Sequence, residues 1–132
     1  MTPDARCPCG LGEPCADCCG RLHRGAAEAA TAELLMRSRY SAFALRDEAY
    51  LLRTWHPSTR PRHVAFDPDQ EWSGLDILGT RRGGLLDADG TVEFRAHYRL
   101  RGRSGTLDER SRFVRDGGAW QYVDAIASPR RA

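Results

Sequence analysis

The sequence predicts an α+β fold in which N-terminal helices pack on one face of a curved antiparallel sheet, preceded by a small cysteine-rich unit. Three observations predict it. All five cysteines lie between positions 7 and 19. Residues 26–56 contain neither Gly nor Pro and carry a helical pattern. The remainder alternates apolar and polar residues between turn signals, and helices followed by a run of antiparallel strands make an α+β layer. The expected units are residues 1–25, a metal knuckle, and residues 26–132, the α+β domain.

Residues 1–25 are rich in Cys, Gly and Pro, with too few large apolar side chains for a core. In the helical stretch Thr31 is the expected N-cap, and Ala32, Met36, Tyr40 and Phe43 fall on one narrow face, with Arg37, Ser38 and Ser41 pointing elsewhere. Asp47 opens a second short helix holding Tyr50, Leu51 and Trp55. His56-Pro57 ends it, because the residue before proline disfavours helix. PSTRPRHVAFDPDQE is a long, turn-rich connection. WSGLDILGTR is the first strand and LLDADGTVEFRAHYRLRG the next. In the latter, Val92, Phe94, Ala96, Tyr98 and Leu100 alternate with Glu93, Arg95, His97, Arg99 and Arg101, the period of a half-buried strand. TLDERSRFVRD and AWQYVDAIA come next, joined by the hairpin turn Gly117-Gly118.

The 132 residues are 41% hydrophobic and 29% charged, with a formal net charge of +2. That balance is too mild to imply nucleic acid or an anionic membrane. All 20 basic residues are arginine. The start, MTPDARCPCG, has no apolar core for a signal peptide, and no apolar run approaches the roughly 20 residues that cross a bilayer. A cytoplasmic protein is expected, where thiols stay reduced and clustered cysteines bind metal more often than they form disulfides.

Cys7-x-Cys9, eight residues, then Cys18-Cys19 supply four soft ligands for one Zn²⁺. Gly10 and Gly12 allow tight turns that aim backbone N–H groups at the thiolates, and Arg6, Arg21 and Arg24 flank the cluster to offset its charge. A disulfide between the neighbours Cys18 and Cys19 would be strained. A catalytic thiol lacks a nearby base. Cys15 is a spare thiol beside the site, and His23 is a second-choice replacement for Cys19.

CPCGLGEPCADCCG resembles the SEC-C motif, the zinc-binding tail of the SecA translocation motor, with the pattern C-x-C-x(8)-C-[HC]. LLMRSRYSAFALRDEAYLLRTWHPSTRP resembles the bacterial YchJ-type SEC-C proteins, and LDERSRFVRDGGAWQYVDA the end of their middle domain. The resemblance covers nearly the whole chain. It implies a nuclear-transport-factor-2-like cone after the knuckle and a structural zinc. Cys15 stands where the motif usually has an aromatic. Longer members carry a second SEC-C motif after the cone.

Cone folds often enclose a cavity. Arg39 lies about 60° from the centre of the apolar helix stripe, at roughly 100° per residue. If Phe113 faces the core, Ser111 and Glu109 share its face, and an Arg39–Glu109 bidentate pair at the cavity is expected, as a catalytic anchor or as a scaffold pinning helix to sheet. His56 is a third cavity candidate, otherwise a helix-end residue. Arg95, Arg99, Arg101 and Arg103 form an outward basic stripe without the interleaved aromatics of single-strand binders. The leading functional expectation is a zinc-bearing adaptor or binding module recognising a protein partner, such as a chaperone, secretory or ribosomal component. The alternative is a small-molecule enzyme or binder using the cone cavity. Nucleic-acid binding through the arginine stripe comes third.

Overall fold

The computed structural model describes residues 7–11, 15 and 18–127. Arg6 and Gly12 lie outside them. In chain order the elements are α1 (Cys19–His23), α2 (Ala32–Leu45), α3 (Glu48–Arg53), β1 (Gln70–Arg82), β2 (Asp89–Leu100), β3 (Arg103–Asp116) and β4 (Ala119–Ala127). The strands form one antiparallel meander in the order β1-β2-β3-β4. Register shifts at Trp72/Gly74 and Ile77/Gly79 on β1, and at Arg110/Ser111 and Arg112/Phe113 between β3 and β4, are bulges that bend the sheet. The helices lie on its inner face. The core joins Ala32, Leu35, Met36 and Tyr40 of α2 to Val92, Phe94, Ala96, Phe113 and Trp120 of the sheet, as the alternation along β2 requires.

Local chemistry sets most boundaries. The Thr31 side chain accepts from Leu34 N at 3.2 Å and starts α2. Asp47 accepts from Tyr50 N at 3.1 Å and starts α3. Gly117 and Gly118 take φ of 63° and 85°, the two positive values that a two-residue hairpin needs. Arg101 and Gly102, at 53° and 80°, make the same kind of turn between β2 and β3.

Two expected helical stretches differ. Residues 26–30 are not helical. Gly25 turns the chain at φ 78°, Ala26 N and Ala27 N both donate to Arg21 O, and Ala30 O accepts from Trp120 Nε1 at 3.2 Å. These bonds outweigh the helix propensity of alanine. The second helix stops at Arg53, before Trp55. There the chain turns extended and pairs with the edge of the sheet: Tyr122 N donates to Thr54 O and His56 N to Tyr122 O, both at 2.8 Å. Thr59 Oγ1 adds a bond to Val123 O at 2.6 Å. Residues 54–59 thereby cover part of the β4 edge, which would otherwise expose open backbone groups.

Candidate functional site

The Sγ atoms of Cys7, Cys9, Cys18 and Cys19 all lie within 4.8 Å of one another. Four sulfurs at about 2.3 Å from one ion stand about 3.8 Å apart at the corners of a tetrahedron, and the Cys9–Cys18 separation is 3.6 Å. That is far beyond a disulfide bond of about 2.05 Å, and all five cysteines are free thiols. The backbone shapes the cluster. Gly10, at φ 87°, donates its N–H to Cys7 O at 3.2 Å and closes a tight turn.

Four buried thiols this close cannot all ionise without a cation. Cys7 is driven well down by the hydrogen bond from Cys19, then by that from Cys9. Cys19 is driven strongly up, first by its bond to the Cys7 sulfur. For Cys9 the bond from Cys19 lowers it most, but the Cys7 sulfur and burial together raise it further, up to about 12. A divalent ion removes that competition by favouring every thiolate together. Cys15 is buried but falls outside the four-sulfur group, and burial pushes it up to about 11. His23 does not point at the cluster: its Nε2 pairs with Ser38 O at 2.8 Å and its ring packs 4.6 Å from Tyr50.

The seat of the cluster is α2. Ser41 Oγ lies 3.3 Å from Cys7 Sγ, and Arg37 Nη1 donates to Cys9 O at 2.8 Å while its Nε donates to Glu33. Leu22 of α1 is buried with Ala42, Tyr50 and Leu51. Arg53 caps α1 by donating to Leu22 O and His23 O, both at 3.1 Å. The sequence placed Arg37, Ser38 and Ser41 off the core stripe but did not show that they face the knuckle. Burial of Ser38 and Ser41 at 0% exposure is possible because distant partners satisfy both.

A second site lies inside the cone. A cavity of about 250 Å³ is walled by Met36, Tyr40, Phe43, Trp55, Trp72, Phe94, Ala96, Leu107 and Tyr122, with Arg39, Glu109 and Ser111 as its polar members. Arg39 and Glu109 therefore share the cavity, yet the guanidinium bonds to other acceptors than the expected carboxylate. Its Nη1 donates to Leu51 O at 2.8 Å and to Thr54 Oγ1 at 2.7 Å. Its planar head lies 4.9 Å from the Trp55 ring and 4.5 Å from that of Tyr122. Burial lowers Arg39 to about 10, which leaves it charged at neutral pH. His56 is not in this cavity. It lines a separate open groove with Arg81, Arg82, Asp89 and Arg112, and holds Ser58 Oγ at 2.7 Å and Asp116 Oδ2 at 3.3 Å. The reason is the early stop of α3, which sends His56 along the sheet edge.

The family described as "YchJ, middle NTF2-like domain" matches residues 31–125. The chain belongs to the YchJ family. It is 64% identical over 120 residues to a UPF0225 protein of Streptomyces avermitilis, covering 91% of this chain and 83% of that one. It is 48% identical over 128 residues to a UPF0225 protein of Chromobacterium violaceum, covering 94% of each. Among solved structures it is similar to a SEC-C motif containing protein from Rhodopseudomonas palustris, with a TM-score of 0.80 at 36% identity over 93% of this chain and 98% of that one. A SEC-C motif containing protein from Psychrobacter arcticus superposes with a TM-score of 0.75 at 26% identity, over 96% of this chain and 85% of that one. The fold and its cysteine cluster thus agree with a nuclear-transport-factor-2-like cone carrying an N-terminal SEC-C-type knuckle.

The outer face of the sheet carries ion pairs laid across the strands. Arg95 holds Asp108 through two bonds of 2.9 and 3.1 Å. Arg112 holds Asp124 through two of 2.9 Å. Arg110 reaches Glu93 at 3.2 Å and His97 reaches Asp76 at 2.7 Å. Arg101 pairs with Asp69 at 3.3 Å. The stripe that reads as basic along β2 is interleaved with carboxylates from its neighbours, a poor match to a phosphate backbone. Among the described residues, no helix is long and apolar enough to cross a membrane.

Proposed function

We propose that the cluster holds one Zn²⁺ through Cys7, Cys9, Cys18 and Cys19, and that the ion staples the knuckle onto α2 so that the assembled body acts as a cytoplasmic adaptor for a protein partner. The observation that carries the metal reading is the gathering of four sulfurs within 4.8 Å of one another. Four sulfur ligands close the coordination shell, which suits a structural ion and leaves no position for substrate. The adaptor role is supported by the likeness to SEC-C motif containing proteins. Arg37 and Ser41 tie ligand residues directly to α2, so metal loss would reshape the surface around that helix. Elemental analysis tests the metal: one zinc per chain is expected, lost in Cys9→Ser and kept in Cys15→Ser. Zinc kept in the first or lost in the second refutes the ligand set. Affinity capture with wild type and Cys9→Ser tests the adaptor role; a partner held equally by both counts against it.

A second reading is favoured by one observation. Arg39, Glu109 and Ser111 converge on a cavity otherwise walled by aromatic and aliphatic side chains, the pattern of a small-molecule site.

A further inference from the structure

The chemistry of the cone cavity selects a ligand class, and the selection rests on the reading of that cavity as a small-molecule site. Arg39 is 3% exposed and sits at the cavity wall. Both of its hydrogen bonds leave from Nη1. The other edge of the fork, Nε–H with Nη2–H, carries no bond to a described residue. That edge presents two parallel donors, the geometry that a carboxylate meets with both oxygens. Trp55 and Tyr122 lie against the guanidinium and hold its plane, so the direction of approach is fixed before a ligand arrives.

The rest of the cavity limits the group that can be attached to the carboxylate. The Trp55 and Tyr122 faces are already taken by Arg39. The remaining wall is apolar and rich in rings: Tyr40 packs edge-on to Trp72 at 6.1 Å, with Phe94, Met36 and Leu107 completing it. Leu107 is 38% exposed and marks the side open to solvent. At about 250 Å³ the space is below the roughly 300–1,000 Å³ of drug-sized pockets. Glu109 lines the same cavity; burial raises the Tyr122 phenol most, with the Glu109 carboxylate raising it further and Arg39 lowering it. A second negative charge on the ligand would meet that carboxylate.

We infer that the cavity takes a small aromatic or aliphatic monocarboxylate, gripped side-on by the Nε–H and Nη2–H edge of Arg39 with its apolar body between Tyr40, Trp72 and Phe94. The test uses the full, metal-loaded chain labelled with ¹⁵N and titrates it with benzoate and, separately, with the neutral isostere benzamide. The indole N–H signals report position. Trp55 and Trp72 line the cavity and Trp120 does not, so the third indole is an internal reference. The expected result is a saturable shift of the Trp55 and Trp72 signals by benzoate, an unmoved Trp120, and benzamide binding about tenfold more weakly, because a charge-assisted pair is replaced by neutral hydrogen bonds. Equal affinity for the two probes shows a cavity that admits small molecules without reading a carboxylate, which overturns the inference alone. No saturable shift with either probe overturns the small-molecule reading as well.

Discussion

Metal removal should separate the knuckle from the cone, at a cost to the cone that the contacts between them bound. Without an ion, the competition among four buried thiols removes what holds the cysteine cluster together; ion binding supplies ~10–16 kcal/mol in comparable zinc-finger peptides. The cone then loses the burial of Leu22 against Tyr50 and Leu51, worth about 2 kcal/mol. It also loses the bonds of Arg37 to Cys9 O, His23 to Ser38 O and Arg53 to Leu22 O and His23 O, each worth about 0.5–1.5 kcal/mol. The whole interface amounts to about 4–8 kcal/mol, below the middle of the about 5–15 kcal/mol range for a domain of this size. The cone should therefore survive in a weakened state. Amide exchange with and without a strong chelator is the assay. Residues 18–23 should exchange freely after chelation, α2 should lose protection on its Ser38–Ser41–Ala42 side, and β1–β4 should keep most of theirs. If the strands lose protection together with the knuckle, the two units are one cooperative body and the division of the stability between them is wrong.

Two further predictions concern the cone. Arg39→Met should cost about 1–3 kcal/mol in urea unfolding: two charge-assisted bonds and the contacts with Trp55 and Tyr122 are lost, while the desolvation penalty of a buried charge disappears. Burial pushes the Tyr40 phenol up to about 12 from an ordinary value of 10. Since the folded value is the raised one, this contribution is fully present below pH 10 and is lost as pH rises through about 12, with ~3 kcal/mol as its upper size. Tyrosinate absorbance at 295 nm should accordingly be equal for wild type and Tyr40→Phe up to about pH 11 while both stay folded; a difference already at pH 10 would contradict the burial account.

Much of the molecule was legible because its causes are local. The Cys7, Cys9, Cys18 and Cys19 spacing marked the four thiols that the fold gathers, Thr31 and Asp47 marked two helix starts, and the alternation from Val92 to Ala96 marked the buried face of β2. Gly117-Gly118 marked a turn that only positive φ can make. The resemblance carried by LLMRSRYSAFALRDEAYLLRTW supplied the cone. What the sequence left open depends on partners far along the chain. Helix α2 is buried on two sides, but a wheel displays only the apolar one; Ser38 and Ser41 read as surface until Tyr50 and Cys7 appear beside them. Arg39 reads as half of an ion pair with Glu109, because nothing local reveals that the end of α3 offers it a carbonyl and a hydroxyl. His56 leaves the cavity because Trp55 is drawn to Tyr122, in a bridge to the edge of the sheet. Periodicity and capping depend on neighbours within a helical turn or a strand pair. Satisfying a buried polar group depends on which distant backbone arrives next to it, and the packing of α1, α2, α3 and β4 against one another decides that.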